Sequence, residues 1–352
     1  MKIWIDALTP KQALFFNVVK GWLNKKGHEV FSTTRAGYGG HELGSIVNYN
    51  LEIIGKHGLT PFEKLIESSR RIEVLTKIIC EGNFDLALSF SSPECARVSY
   101  GLGIPHLNFS DSPHAIHASK LTIPLSTLLF TPWIIPKNVW TQYGIEAKDI
   151  VQYKAIDASI WLRNWHFRDI KKKLGLENRL TITIRMHEEH ASYLLGGGSN
   201  VLDFVEGIVN EYADKANVIL LSRYQNQYQN LKSKFQDGVT ILDFAIDGPS
   251  LIKSSDVFVG MGGTMTHEAA LLGVPAISAY PGKATLIEEF LIRKNLIIRP
   301  HNHDNFMKIL SDVCLDKNWR IKYRARSKKL WESMEDPSEK ILSKIEMIGK
   351  KV

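Results

Sequence analysis

The chain has little cysteine: three in 352 residues, Cys80, Cys95 and Cys314, with no paired or metal-like spacing. That excludes a disulfide-stapled scaffold and points to free, buried thiols in a reducing, cytoplasmic compartment. No apolar run reaches the length of a membrane span, and the opening MKIWIDALTP enters a strand pattern without a signal-type apolar core. Membrane contact is therefore expected to be peripheral at most. Long blocks of like charge are also missing. The net charge is +7 and the pI about 9.1, yet Lys and Arg are spread along the chain, with modest clusters only at Lys171 to Lys173 and Arg320 to Lys329. A nucleic-acid partner is not expected from that distribution. What remains is ordinary globular composition: 44% hydrophobic residues and a length that suits two domains.

Short strand-like runs alternate with helical ones. Ile3 to Ile5, a helix from Lys11 to Lys26 and Glu29 to Thr33 open the series. A long helix over Phe62 to Glu81, a strand Asp85 to Phe90, a helix Pro93 to Leu102, and strands His106 to Phe109 and Leu128 to Phe130 continue it. The stretches Thr131 to Trp140 and Gln152 to Trp165 read as late loops and a linker. A second series follows, with strands at Leu180 to Ile184, Asn217 to Ser222, Val239 to Leu242, Val257 to Val259 and Ala276 to Ala279. Parallel strands need crossovers, so the alternation predicts two successive Rossmann-like parallel-sheet domains, residues 1–162 and 178–335, facing a central cleft. Residues 336–352 form a terminal helical tail, the end of a charged pattern over Trp319 to Ile348 that Pro337 breaks.

The most informative segment is GMGGTMTHEAALLGVPAIS, Gly260 to Ser278. An apolar run ends at glycines and a threonine, and a helix-forming segment follows, which is the form of an anion nest. Gly262 and Gly263 let backbone approach a diphosphate, Thr264 can cap the helix, and Glu268 falls one turn inside it, where a carboxylate suits ribose hydroxyls. The plainer alternative is a glycine turn before a buried helix. Three further clusters carry titratable groups. His187, Glu188, Glu189 and His190 can supply an acid, a base or a sugar contact, or form a solvated loop; the spacing of the two histidines does not match a zinc helix. Asp111, Ser112 and His114 follow a strand and either place a general base or cap the next helix. Lys11 opens the first helix as a phosphate ligand or a solvated charge, Tyr38 sits in a glycine-rich loop, and Lys283 follows a tyrosine in YPGK.

On GGTMTHEAALLGVPAIS in a second Rossmann-like domain, the chain resembles the GT-B superfamily of nucleotide-sugar enzymes. With IDALTPKQALFF, NFSDSPHA, GMGGTMTHEAALLG and YPGK, nearly its whole length resembles the largely archaeal family termed domain of unknown function 354. That family is similar to the non-hydrolysing epimerases of UDP-N-acetylglucosamine and, more distantly, to the glycosyltransferase that completes the peptidoglycan lipid intermediate. The resemblance implies that Gly262, Gly263 and Thr264 hold the diphosphate and Glu268 the ribose. It also implies that Arg185 reaches the phosphates and that the loop Asp243 to Ala245 meets the base, where Phe244 either stacks on it or belongs to the core. One departure stands out. Where the epimerases carry a glutamate in a His-x-Glu segment, this chain has His106, Leu107 and Asn108, and where they carry an aspartate it has Ser89, Ser91 and Ser92. Neutral side chains there argue against the same carbon-centred proton abstraction.

The expectation is a GT-B type, metal-independent glycosyltransferase with a UDP-sugar donor, a sugar or lipid-linked acceptor and no cofactor. Arg185, Phe244, Gly262, Gly263, Thr264 and Glu268 form the donor site, and Asp111, His114, Glu188 and His190 are the candidates for catalysis. A UDP-sugar epimerase or hydrolase, and a non-catalytic sugar-nucleotide-binding protein, are the alternatives.

Overall fold

The computed structural model describes residues 1–186, 201–223, 225–235, 238–242 and 245–350. It divides into two compact units, Met1–Trp161 with Glu335–Val352, and Leu162–Met334.

The first unit is built on β1 (Lys2–Asp6), β2 (Glu29–Ala36), β3 (Glu52–Lys56), β4 (Leu86–Phe90), β5 (His106–Phe109), β6 (Leu128–Pro132) and β7 (Ile150–Tyr153). They form one sheet in the order β3-β2-β1-β4-β5-β6-β7, and every described pairing is parallel. β4, β5 and β6 are buried at every position, as strands covered on both faces must be, and their sequences are accordingly almost unbroken in apolar character. The helix Pro10–Lys25 starts at a Thr9 cap with Pro10 behind it, and Pro61–Gly82 starts at a capping box of Thr60 and Glu63. Phe15, Phe16, Phe90, Phe109 and Phe130 pack edge-to-face or stacked between the first helix and the sheet.

The second unit carries β8 (Thr181–Arg185), β9 (Asn217–Leu221), β10 (Val239–Leu242), β11 (Val257–Gly260), β12 (Ala276–Ser278) and β13 (Ile297–Ile298), in the order β10-β9-β8-β11-β12-β13 and again parallel. In both sheets the strand order reverses beside the first strand, between β1 and β4 and between β8 and β11. Such a reversal of strand order is the position at which doubly wound sheets bind ligands.

The anticipated strands are all present. Three more, β3, β7 and β13, were not legible. β3 leaves four of its five residues exposed and contains Gly55 at φ 72°, so it shows no apolar run, and β13 is two residues long. The segment expected as a linker instead holds the end of β7 and the helix Asp157–Leu162. The last helical pattern resolves into Asn318–Ser333 and Ser338–Gly349, and the second of these packs on Pro10–Lys25 within the first unit.

A buried ionic cluster ties the first sheet to the long helix. Arg71 on Pro61–Gly82 grips Asp6 at the end of β1 in a two-pronged contact, with Nη2 at 2.6 Å and Nη1 at 3.0 Å, and its Nε donates to the Ile54 carbonyl at 2.8 Å. Ser92 and Thr33 donate to the same carboxylate at 2.6 and 2.7 Å. Burial alone would raise the Asp6 pKa; Arg71 and the two hydroxyls overcome it and hold the carboxyl below its ordinary value. Breaking such a pair leaves a buried charge alone. Arg71→Leu is expected to reduce the unfolding free energy by about 3–5 kcal/mol in urea denaturation, while Arg70→Leu, an exposed neighbour paired with Glu67, should change it by less than about 1 kcal/mol. Equal, small effects would show that the cluster does not hold the unit together.

Candidate functional site

At the switch point of the second unit, Gly260 ends β11 in register with Arg185 at the end of β8, and the Met261 amide donates to the Arg185 carbonyl at 3.1 Å. Gly262 and Gly263 follow at φ +95° and +96°, where a side chain is strained. A side chain would also have to displace a neighbour at each position. A Cβ on Gly262 would lie 2.8 Å from the Tyr280 ring, and one on Gly263 would lie 2.9 Å from Nη2 of Arg223. The helix Thr264–Leu271 then begins. Gly263, not Thr264, is its N-cap, and no side chain caps it, so the expected role of Thr264 as the cap is corrected: it is the first helical residue. The reason is the positive φ at Gly263, which turns the chain one residue earlier than a threonine cap would. Glu268 lies one turn further along the helix and is 2% exposed.

Two arginines stand at the ends of the neighbouring strands β8 and β9, and one of them reaches this loop. Arg185 donates through Nη1 to the Ser222 carbonyl at 2.6 Å. Arg223, in the turn after β9, donates through Nε to the Met186 carbonyl at 3.2 Å and through Nη2 to the Gly262 carbonyl at 3.5 Å. Arg223 was not singled out from the sequence, although the signal was available: it follows a predicted strand at the same edge as Arg185. On the other flank, Arg299 donates to the carbonyls of Tyr280 and Gly282 and lies 3.5 Å from Glu288, which pins the YPGK turn. Lys283 of that turn is exposed. Two left-handed glycines, the Arg223 guanidinium and a helix start with no side-chain cap make an edge suited to a doubly charged anion.

In the first unit Lys11 is neither a solvated charge nor open to a phosphate. Its ammonium lies 2.5 Å from Asp111, 2.8 Å from Asp157 and 4.0 Å from the centre of the Phe90 ring. Burial would discharge it, but the two carboxylates hold its pKa above the ordinary value. Asp157 also accepts from the Tyr153 hydroxyl. Burial, together with the nearby Asp111, pushes the Asp157 pKa up to about 6 against the pull of Lys11. Ser112 donates to Asp111 at 2.9 Å, and the following helix, Ile116–Thr122, has no side-chain cap, so Asp111 serves Lys11 rather than that helix. His114 is exposed in the same loop; crowding of its ring, reinforced by Lys11 and opposed by Asp111, lowers its pKa. The residues at the epimerase-like positions are neutral and mutually bonded. Ser89 meets His106 at 2.8 Å, the Ser91 amide donates to Asn108 at 2.9 Å, and burial pulls the His106 pKa down to about 3.

The structure thus gathers Arg185, Gly262, Gly263 and Thr264 at one edge of the second sheet, with Glu268 a turn behind, and puts Asp111 and His114 in one loop of the first. Glu188, His190 and their neighbours His187 and Glu189, and Phe244, lie outside the described residues. Among the described residues no group of three His, Cys, Asp or Glu side chains is arranged to hold a metal ion.

The model of the family described as Protein of unknown function (DUF354) matches residues 1–345, and the chain belongs to that family. An uncharacterized protein of Methanocaldococcus jannaschii is 27% identical over 319 residues, covering 89% of this chain and 91% of its own length. Among solved structures, UDP-GlcNAc 2-epimerase from Neisseria meningitidis bound to UDP-GlcNAc superposes with a TM-score of 0.74 at 15% identity, over 98% of this chain and 99% of the other. The spinosyn forosaminyltransferase SpnP superposes with a TM-score of 0.67 at 12% identity, over 99% of each chain. At such identities the likeness establishes the fold, which is GT-B.

The Asp157 carboxyl supplies a pH test of the buried cluster. Its folded pKa, raised from 3.8 to about 6, means that folding takes up a proton between those values. Burial of neutral His106, with its pKa about 3, makes stability rise over the same range, so the Asp157 contribution is read by difference: between about pH 4 and 6 the melting temperature of Asp157→Asn, which cannot ionise, should rise with a steeper slope than that of the wild type. Equal slopes in differential scanning calorimetry would remove the Asp157 contribution.

Proposed function

We propose that this member of the family binds a nucleoside-diphosphate sugar, a UDP-sugar, at the carboxyl edge of the second sheet and transfers the glycosyl group to an acceptor hydroxyl. The observation that carries this reading is the reach of Arg223 to the glycine loop at the switch point, with Arg185 ending the strand beside it. In glycosyl transfer the bond between the anomeric carbon and the diphosphate oxygen breaks, and the nucleotide leaves with its bonding electrons. Fixed donors aimed at that developing charge lower the barrier without reorganising, and two guanidiniums with the amides of Gly263 and Thr264 provide them. Glu268 is assigned to the ribose hydroxyls, and Phe244 to the base. The acceptor hydroxyl gives its proton to a base as it attacks. His114 is the better candidate of its loop, because its lowered pKa leaves the imidazole neutral and able to accept, while Asp111 is engaged by Lys11. Glu188 and His190 remain candidates for sugar contacts or acid-base work.

The fold match to an epimerase bound to UDP-GlcNAc favours a second reading, conversion of the donor without an acceptor. Ser89, Ser91 and Asn108 supply no proton acceptor at the positions where the resemblance would require one, which is why transfer is preferred.

Titration calorimetry with UDP is expected to show saturable binding that Arg223→Ala and Glu268→Ala each weaken by about 1.5–3 kcal/mol, roughly ten- to a hundredfold. Unchanged affinity in both variants would remove the site. Incubation with UDP-GlcNAc, followed by proton NMR, then separates the two reactions: UDP release that depends on added acceptor supports transfer, and a 2-epimer formed without acceptor supports epimerisation.

A further inference from the structure

The basic cluster from Arg320 to Lys329, noted in the sequence, takes no part in the strand-end site. It lies on the helix Asn318–Ser333, NWRIKYRARSKKLWES, which carries six Lys and Arg against one Glu. Tyr323, Ser327 and Leu330 are its buried positions. Arg324, Lys328 and Trp331 run along an adjacent edge, and Ile321, 65% exposed, extends that edge by one turn.

This edge is one wall of a groove of about 470 Å³. Arg163, Lys253, Arg324 and Lys328 contribute four cations to its lining, and among the described residues no Asp or Glu lines it. The carboxylate of Glu332 lies 4.0 Å from Lys328, but both side chains are solvent-exposed, so that pair neutralises little. The rest of the lining is mainly apolar: Leu271 and Leu272, Trp331 with Arg163 5.4 Å from its ring centre, and Phe167 with Lys253 at 5.7 Å.

Cations beside helix ends have an ordinary explanation, because the helices Gly248–Ser254 and Thr264–Leu271 both finish here. Each carboxyl end carries about half a negative charge. The carbonyl of Leu271 is already met by neutral donors, Ser327 Oγ at 2.6 Å and Trp331 Nε1 at 2.8 Å. Two helix ends therefore account for about one positive charge, against the three of Lys253, Arg324 and Lys328 alone. The surplus is felt locally: partial burial, reinforced by Arg324, lowers the Lys253 pKa.

We propose that this groove is a docking face for an anionic lipid surface. Phosphate headgroups meet Lys253, Arg324 and Lys328. The Lys and Arg stems, the indole of Trp331 and the ring of Phe167 sit at the headgroup boundary, where amphipathic side chains are most favourable, and Ile321 enters the acyl region. A nucleic acid would use the same charges and rings but would leave Ile321 and the leucines without a partner, whereas a lipid uses both. Among the described residues no helix is long and apolar enough to cross a membrane, so this contact is peripheral. The groove lies at the opposite end of the eight-residue helix Thr264–Leu271 from the glycine loop, about 12 Å away along its axis. Nucleotide binding and lipid binding can therefore fail separately.

The test is co-sedimentation of the full chain with phosphatidylcholine vesicles, with and without phosphatidylglycerol, at low and physiological salt. Arg324→Glu with Lys328→Glu reverses the groove. Lys25→Glu with Lys26→Glu, at the exposed end of the first unit's first helix, makes the same change in net charge elsewhere. UDP titration and circular dichroism check that both variants are folded. The proposal expects the wild type and the Lys25/Lys26 variant to bind phosphatidylglycerol vesicles, with the groove variant at least about tenfold weaker and pure phosphatidylcholine not bound. It is overturned if the wild type ignores anionic vesicles, if both variants lose binding equally, or if the groove residues bind a single-stranded RNA oligomer and not vesicles.

Discussion

Parallel pairing of β8 with β11 is the constraint on which the candidate site depends. It sets Arg185 opposite Gly260, and the amide bond from Met261 to the Arg185 carbonyl carries that register one residue beyond the strands. Leaving β11 at that reversal of strand order, the chain must turn directly into the helix Thr264–Leu271 with its backbone close to neighbouring side chains. Glycine meets that demand twice, once for Tyr280 and once for Arg223, so the same two residues that permit the turn admit the groups that flank it. A side chain at either position would displace an aromatic ring or a guanidinium before it met any ligand.

The two sheets share a topology and use charge in opposite ways. In the first unit the charges at the strand ends are spent internally: Arg71 is consumed by Asp6, and Lys11 by Asp111 and Asp157. Buried pairs of this kind add little net stability over an apolar core, but they fix which loop lies against which. In the second unit Arg185 and Arg223 reach backbone carbonyls at the edge, where a bound anion would compete for them and gain from their fixed direction. One unit thus uses its charges to hold its own loops, and under the proposed function the other turns its guanidiniums to an anionic ligand.

The fold was largely legible because fully buried parallel strands read as apolar runs of four or five residues, as β4 and β9 do. Edge strands such as β3 and β13 escaped, since one exposed face and a length of two to five residues leave no run to detect. The glycine loop was legible for a different reason: backbone freedom is written in the residue type itself. The partners of Lys11 were not, because Asp111 and Asp157 lie 100 and 146 positions away and only the sheet order brings them together. Arg223 marks the boundary between the two cases. Its place at a strand end could be read, but its reach to Gly262 depends on β9 lying next to β8, which composition does not encode.

The central claim is that the glycine loop and its two arginines receive a diphosphate. A crystal structure of the protein grown with UDP tests it most directly. The account predicts diphosphate density within hydrogen-bonding distance of the amides of Gly263 and Thr264 and of the Arg185 and Arg223 guanidiniums, with the ribose against Glu268. UDP bound elsewhere, or the loop empty at saturating nucleotide, would contradict it.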